Sequence, residues 1–401
     1  MKMFTQTELE KYAQILVWAL REARTREFKK YDTVLVNYDI AALDLAEKVY
    51  EILLKERLNP VLQAQSSENS AKSFYSLSDD AQLKFTPQWF EQLHKSVNGL
   101  ISIRAPQSLT HLKDIEPKKI ALSALSKKPF RDILNAREAA GEFGWTLCSY
   151  PTQALADGAK MTAADYAGQI KKACYLKVQN PVKKWREIYK DMNEIAAWLY
   201  GLKIDTINTR TKSMDLTVKL GDKRKFLCAR GCNIPSFEIF TSPDWRGTNG
   251  TYYANMQALR SGNIVEDIRI EFKDGRVVKS GAGKGENYLK KMLEMDKGAA
   301  QVGEYSLTDK RFSKIDRFMA DTLFDENFGG LHGNCHIALG SSYADTYTGN
   351  VARLTKEKKT ALGYNDSSLH WDIINTEDKV VKAKLKNGKI VTIYEKGQFK
   401  F

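Results

Sequence analysis

The first 150 residues alternate short apolar β runs with stretches of helical period. Residues 33–37 (TVLVN) read as a buried strand. Ile40, Leu43, Leu45, Val49 and Leu53 then recur near the spacing of one helix face, predicting a helix over 40–56. Asn59-Pro60 stops it, and 61–63 begins another short strand. Residues 99–103 (GLISI), 119–123 (KIALS) and 145–150 predict further strands, with helices over 87–97 and 130–143. This rhythm predicts a parallel sheet with helices on both faces. No glycine fingerprint opens these helices, so the layout brings no dinucleotide with it.

Two helices follow, over 162–174 and Pro181–Gly201. Trp185, Ile188, Met192, Ile195, Ala196 and Leu199 share one stripe of the second, as core packing requires, and the region reads as a bridge between domains. After it the pattern changes. Gly221-Asp222, Asp274-Gly275 and Asn387-Gly388 sit between apolar runs. They predict hairpins joining 216–219 to 225–229, 268–272 to 276–279, and 383–386 to 389–394. Asn-Gly favours the primed turn that matches strand twist. Helices are expected at 286–296 and near 336–347. The predicted fold class is an α/β N-terminal domain with a parallel sheet (1–200) and a mixed α+β C-terminal domain (201–401). SGAGKGEN (280–287) fails as a phosphate loop, because Val278 and Gly285 stand where Gly and Ser/Thr are required. It reads as a turn into a helix.

Composition narrows the function classes. The 401 residues are 43% hydrophobic and 28% charged, ordinary for a soluble chain with two or three cores. No stretch approaches the roughly 18–20 apolar residues of a membrane span. Glu8 and Glu10 make the N-terminus an amphipathic helix rather than a secretory leader, and a cytoplasmic location is expected. Five cysteines without a CxxC pair argue against a disulfide framework and a thiolate zinc site, and Cys335 reads as a small buried filler. The net charge is +13, but the basic residues are spread out and not interleaved with aromatics. Nucleic acid is not an expected partner.

The candidate chemistry lies in the second half, where three of the five histidines fall. Glu238 sits inside an apolar run, so it needs a partner, either a metal or an arginine. Glu304 follows Gly303 and by itself reads as a solvated turn residue. The stretch 323–345 offers Asp325, Glu326, His332, His336 and Tyr343. On a helix His336 and Tyr343 would share a face, two turns apart. His332 reads as an ordinary surface or core histidine. In LHWD, a strand would point His370 and Asp372 to the same side, placing imidazole and carboxylate at one cation or in a surface ion pair.

Taken together, these segments resemble the aminopeptidase T/aminopeptidase S family of thermophilic, dimetal aminopeptidases. PSFEIFTSPD resembles that family's PSGE-[IV]-FTAPD, and LFDENFGGLHGNCHIALGSSYAD its FDEN…H-[IL]-ALG…Y stretch. LHWD resembles its H-x-D, DKGAAQVGE its D-x-GA…GE, and WTLCSYPTQALA its YPT…A run. The resemblance implies two divalent metal ions (zinc, cobalt or manganese) held by Glu238, Glu304, His336, His370 and Asp372. It implies Tyr343 as the active-site tyrosine; Glu326, by its place in the DEN segment and outside that ligand set, is the candidate general base. It further implies peptide substrates with a free N-terminus and a homodimer whose C-terminal domain is catalytic. Phe237 stands where the family has glycine, and GGLHGN lengthens the segment before His336. Rival readings are another dimetal amidase or esterase, and a non-catalytic binding protein using a basic surface.

Overall fold

The computed structural model describes residues 3–401 apart from 229 and 261. It contains two compact units, one of residues up to Trp185 with Arg230–Pro235, the other of Arg186–Ala229 with Ser236–Phe401. The boundary falls inside the helix Pro181–Gly201, whose predicted stripe is buried throughout.

The first unit holds a five-stranded, wholly parallel sheet. Its order is Asn59–Ala64, Thr33–Tyr38, Gly99–Arg104, Gly144–Ser149 and Asn233–Ile234. Val34, Leu35 and Val36 are all buried, which explains their unbroken apolar run. Pro60 is tolerated because its strand lies at the sheet edge. The amphipathic N-terminal helix is Gln6–Ala23, with a capping box between Thr5 and Glu8. The strand expected at 119–123 is instead part of the helix Pro117–Ser126. Pro117 is preset for a first helical turn, and the following Lys, Ala, Leu and Ser outweigh one β-branched Ile120.

Among the described residues the second unit carries a two-stranded sheet, Ala258–Arg260 with Asn263–Val265, and two large antiparallel sheets. The larger runs Arg276–Gly281, Ile268–Lys273, Asp244–Ala254, Asp215–Lys219, Ile204–Arg210, Val380–Leu385, Ile390–Glu395 and Gln398–Phe399. The smaller runs His370–Asn375, Asn334–Gly340, Val302–Thr308, Glu238–Thr241 and Leu227–Cys228. Two of the three predicted hairpins form. Asp274 and Gly275 both have positive φ, the geometry of a primed turn. In the Asn387-Gly388 hairpin only Gly388 does, so this turn is not the primed one the dipeptide suggested. The predicted pairing of 216–219 with 225–229 does not form. Asp215–Lys219 pairs with Ile204–Arg210, and Leu227–Cys228 joins the other sheet beside Glu238–Thr241. Ala229 lies outside the described residues. Between these strands Arg224 is buried, donating to the carbonyls of Ser242, Asp222 and Leu362, and this anchor diverts the chain. The helix expected near 336–347 is a strand up to Gly340. Gly340 has φ +102°, and only a single turn of 3₁₀ helix follows, at Ala344–Thr346.

The smaller sheet has two chemically different faces. Tyr305, Cys335, Ile337, Leu339, Trp371 and Ile373 alternate with the acids and imidazoles, and all are buried. Across from them, Tyr252 of the larger sheet donates its hydroxyl between the carbonyl oxygens of Cys335 (3.0 Å) and Ile373 (2.6 Å). Tyr305 shares a 2.7 Å hydrogen bond with Thr209. One face is thus locked to the core, which leaves the other for chemistry. Tyr252→Phe strips two buried carbonyls of their shared donor and should destabilise the protein by about 1–3 kcal/mol. Thermal and urea unfolding read this, and an unchanged midpoint would contradict the packing role.

Candidate metal centre

Register decides what the free face presents. In an antiparallel sheet, paired residues point to the same side, and so do residues two apart along a strand. Thr308 pairs with Glu238, Glu304 with Ala338, Ser306 with His336, Ala338 with Asp372, and Gly340 with His370. All five candidate positions, Glu238, Glu304, His336, His370 and Asp372, therefore share one face, delivered by four strands. Glu304 is a buried strand residue, not the solvated turn glutamate its local sequence suggested. A register shift between Val302 and Glu304 sets its phase. Gly303 lies at that irregularity, where a Cβ would come 2.2 Å from the Ser341 carbonyl oxygen. No other residue fits so close an approach.

The side chains converge. Glu238, Glu304 and His336 can each offer a ligand atom such that all lie within 4.8 Å of one another. His336 Nε2 stands 3.2 Å from Glu304 Oε1. Beside this trio, His370 Nε2 is 3.5 Å from Asp372 Oδ1. His370 Nδ1 is 3.0 Å from the Ser341 carbonyl, a contact only an Nδ1–H can make as a hydrogen bond, which leaves Nε2 facing the acid. Glu238 Oε1 accepts from Asn327 Nδ2 at 3.1 Å, and among the described residues no arginine pairs with it. The shared helical face expected for His336 and Tyr343 is replaced by a strand and a turn. Even so, the Tyr343 ring packs tilted against the His370 ring, 4.8 Å between centroids, with its backbone N–H fixed by Ser242 Oγ at 2.8 Å.

The electrostatics record how crowded the charges are. Burial pushes the Glu238 carboxyl up to about 7, against the pull of His336. Burial and then the charges of Glu238 and Asp372 hold Glu326 well above the carboxylate range, so it keeps a proton that it shares with Glu238. Burial would push both imidazoles down. The hydrogen bond to Glu304 and the charges of Glu238 and Asp372 instead raise His336 to about 9, and Asp372 raises His370 to about 9. Asp372, which burial alone would push up, is drawn down to about 2 by His370. Tyr343 is 46% exposed, yet desolvation of its hydroxyl against the site, then the charges of Glu304 and Asp372, raise it from its ordinary value and keep it protonated.

The other residues of these segments serve the frame. Asp325 accepts the backbone N–H groups of Met319 and Asp321. His332 pairs with Asp378 at 3.4 Å. Phe237 is fully buried and so presents no wall to the site. Sequence reasoning missed Asn327 and Arg260, the latter donating to the His370 carbonyl at 2.8 Å. Asn327 stood in the quoted DEN tripeptide, beside an acid already singled out, and that adjacency was the available signal.

The thermophilic metalloprotease (M29) family model matches residues 5–399. The chain belongs to this family. Aminopeptidase 2 of Geobacillus stearothermophilus is 28% identical over 420 residues, covering 99% of this chain and 98% of that protein. Aminopeptidase AmpS of Bacillus subtilis (strain 168) is 25% identical, with 100% of both chains covered. The structure of wild-type AmpT from Thermus thermophilus shares the fold, with a TM-score of 0.80 at 20% identity over 98% of this chain and 99% of that one.

The donor set of this M29 metalloprotease fits a divalent cation. Carboxylate oxygens and imidazole nitrogens suit zinc, cobalt or manganese. Cys335 is not among the donors, since it is buried on the core face and burial pushes its thiol up to about 12. An imidazole must be neutral to ligate, yet His336 and His370 are both raised to about 9. Metal binding at pH 7 should therefore release more than one proton per site, and affinity should rise with pH up to about 9. Calorimetry in buffers of different ionisation enthalpy reads the proton count, and a pH-independent affinity between 6 and 9 would refute it.

Proposed function

We propose that the chain is a metal-dependent aminopeptidase that removes N-terminal residues from peptides with the help of two divalent ions. The observation that carries this reading is the single sheet face shared by Glu238, Glu304, His336, His370 and Asp372 in an M29 chain. Glu238, Glu304 and His336 make one holding group, and His370 with Asp372 begins a second. Divalent ions bound there supply Lewis acidity and bring water toward its nucleophilic form near neutral pH.

The remaining steps fall to the chain's own residues. Glu326 lies outside the proposed ligand set and is held above the ordinary carboxylate range, in the direction a base working near neutrality needs. It gives up its own proton once cations lie beside it, and the ionised carboxylate then takes the proton lost by the attacking water and returns it to the leaving amine. Tyr343 stays protonated and offers its hydroxyl to the oxyanion that develops on the scissile carbonyl. A carboxylate of the cluster meets the free α-amine of the substrate, which restricts cleavage to the N-terminus. The same reading includes zinc, cobalt or manganese as the ions, a catalytic C-terminal domain, a homodimer and a cytoplasmic location.

His370→Ala or Asp372→Ala should abolish metal-stimulated hydrolysis of an amino acid p-nitroanilide while the protein stays soluble. Unchanged turnover by either variant would overturn the assignment. Glu326→Gln should retain bound metal, measured by elemental analysis, yet lose about 10²–10⁴-fold in kcat. Peptides with a blocked N-terminus should resist the enzyme. Equal cleavage of blocked and free peptides would favour a general amidase instead.

A further inference from the structure

The strand His370–Asn375 is the outer member of the smaller sheet. Leu369 turns its carbonyl inward, accepting from the Ser341 N–H, and alternation turns the His370 carbonyl outward. There it meets Arg260 Nη1 at 2.8 Å. Arg260 ends the strand Ala258–Arg260, which pairs with Asn263–Val265. A guanidinium presents five N–H donors in a planar fork. Among the described residues this one spends a single donor, and it spends it on a backbone oxygen. Its charge is felt by Asp372 and by the Tyr288 phenol, yet no acid of the described residues forms an ion pair with it. Asp372 pairs with His370 instead. Neutralising the acids of the cluster is therefore not what fixes this arginine. A half-buried cation with free, coplanar donors stands at the margin of the chemistry-bearing face. That fork matches a carboxylate in shape and in charge.

We propose that Arg260 recognises a carboxylate of the bound peptide, so that the enzyme prefers substrates carrying one near the cleaved bond. The proposal rests on the aminopeptidase reading above. The carboxylate is either the free C-terminus of a short peptide or an acidic side chain. Both present the same two oxygens to the fork.

Three matched pairs of substrates, given to the full-length, metal-loaded protein, separate these sources. Leu-Gly against Leu-Gly amide tests the terminal carboxylate. Leu-Asp amide against Leu-Asn amide tests a side chain after the cleaved bond. Asp-Leu amide against Asn-Leu amide tests one before it. In the wild type, kcat/KM should favour the acid by about tenfold or more in at least one pair, chiefly through KM. In Arg260→Met that preference should shrink to about twofold or less, and Arg260→Lys, which keeps the charge without the fork, should restore part of it. Equal kcat/KM within all three pairs overturns the proposal, and so does a preference that survives in Arg260→Met. If Arg260→Met does not fold, the wild-type pairs and Arg260→Lys still decide. Failure of the wild type to cleave leucine p-nitroanilide would instead count against the aminopeptidase reading itself.

Discussion

Negative charge held out of water is the constraint on which the second unit is built. Glu238, Glu304 and Glu326 are buried, and Asp372 is nearly so. Only two imidazoles stand among them. Each isolated carboxylate taken into such surroundings costs several kcal/mol unless it is paired or protonated. The protein uses both remedies: Glu326 keeps its proton, and His336 and His370 take one each. The arrangement is poor as a stabilising device and sensible as a receptacle for cations. The apolar reverse face, tied down by Tyr252 and Tyr305, keeps these repelling groups from spreading apart.

Local pattern carried much of the fold and little of the site. The parallel sheet was legible because its strands and helices have distinct periods, and the His-x-Asp strand because alternation survives in it. Elsewhere the period was hidden. All seven residues of Asn334–Gly340 are buried, one side in the core and the other among charged groups, so neither face showed as polar and the alternation of a strand was hidden. Glu304 looked like a turn residue because Gly303 precedes it, although that glycine serves a close strand-to-strand approach.

The convergence of the five positions was legible only through the resemblance of whole segments to a known family, in their order and spacing. No rule of spacing joins Glu238 to Asp372 across 134 positions of sequence, because register between strands brings them together. Arg260 was invisible for the same reason, and Asn327 showed only as the neighbour of Glu326. Each acts through a contact with a distant segment, Arg260 on the carbonyl of His370 and Asn327 on the carboxylate of Glu238.

Position within the sheet has a dynamic consequence. Glu304 and His336 hang from interior strands, hydrogen-bonded on both flanks, and Glu238 from a strand backed by Leu227–Cys228. His370 and Asp372 hang from the outermost strand, whose far side is met, among the described residues, by scattered donors such as Met256 N–H and Arg260. Opening is cheapest where a strand has one neighbour. A fluctuation that peels this strand away removes both side chains at once and leaves the trio standing. Any pair of ions lodged on this face would then be unequal in lifetime, one exchanging with the surroundings while its companion stays put.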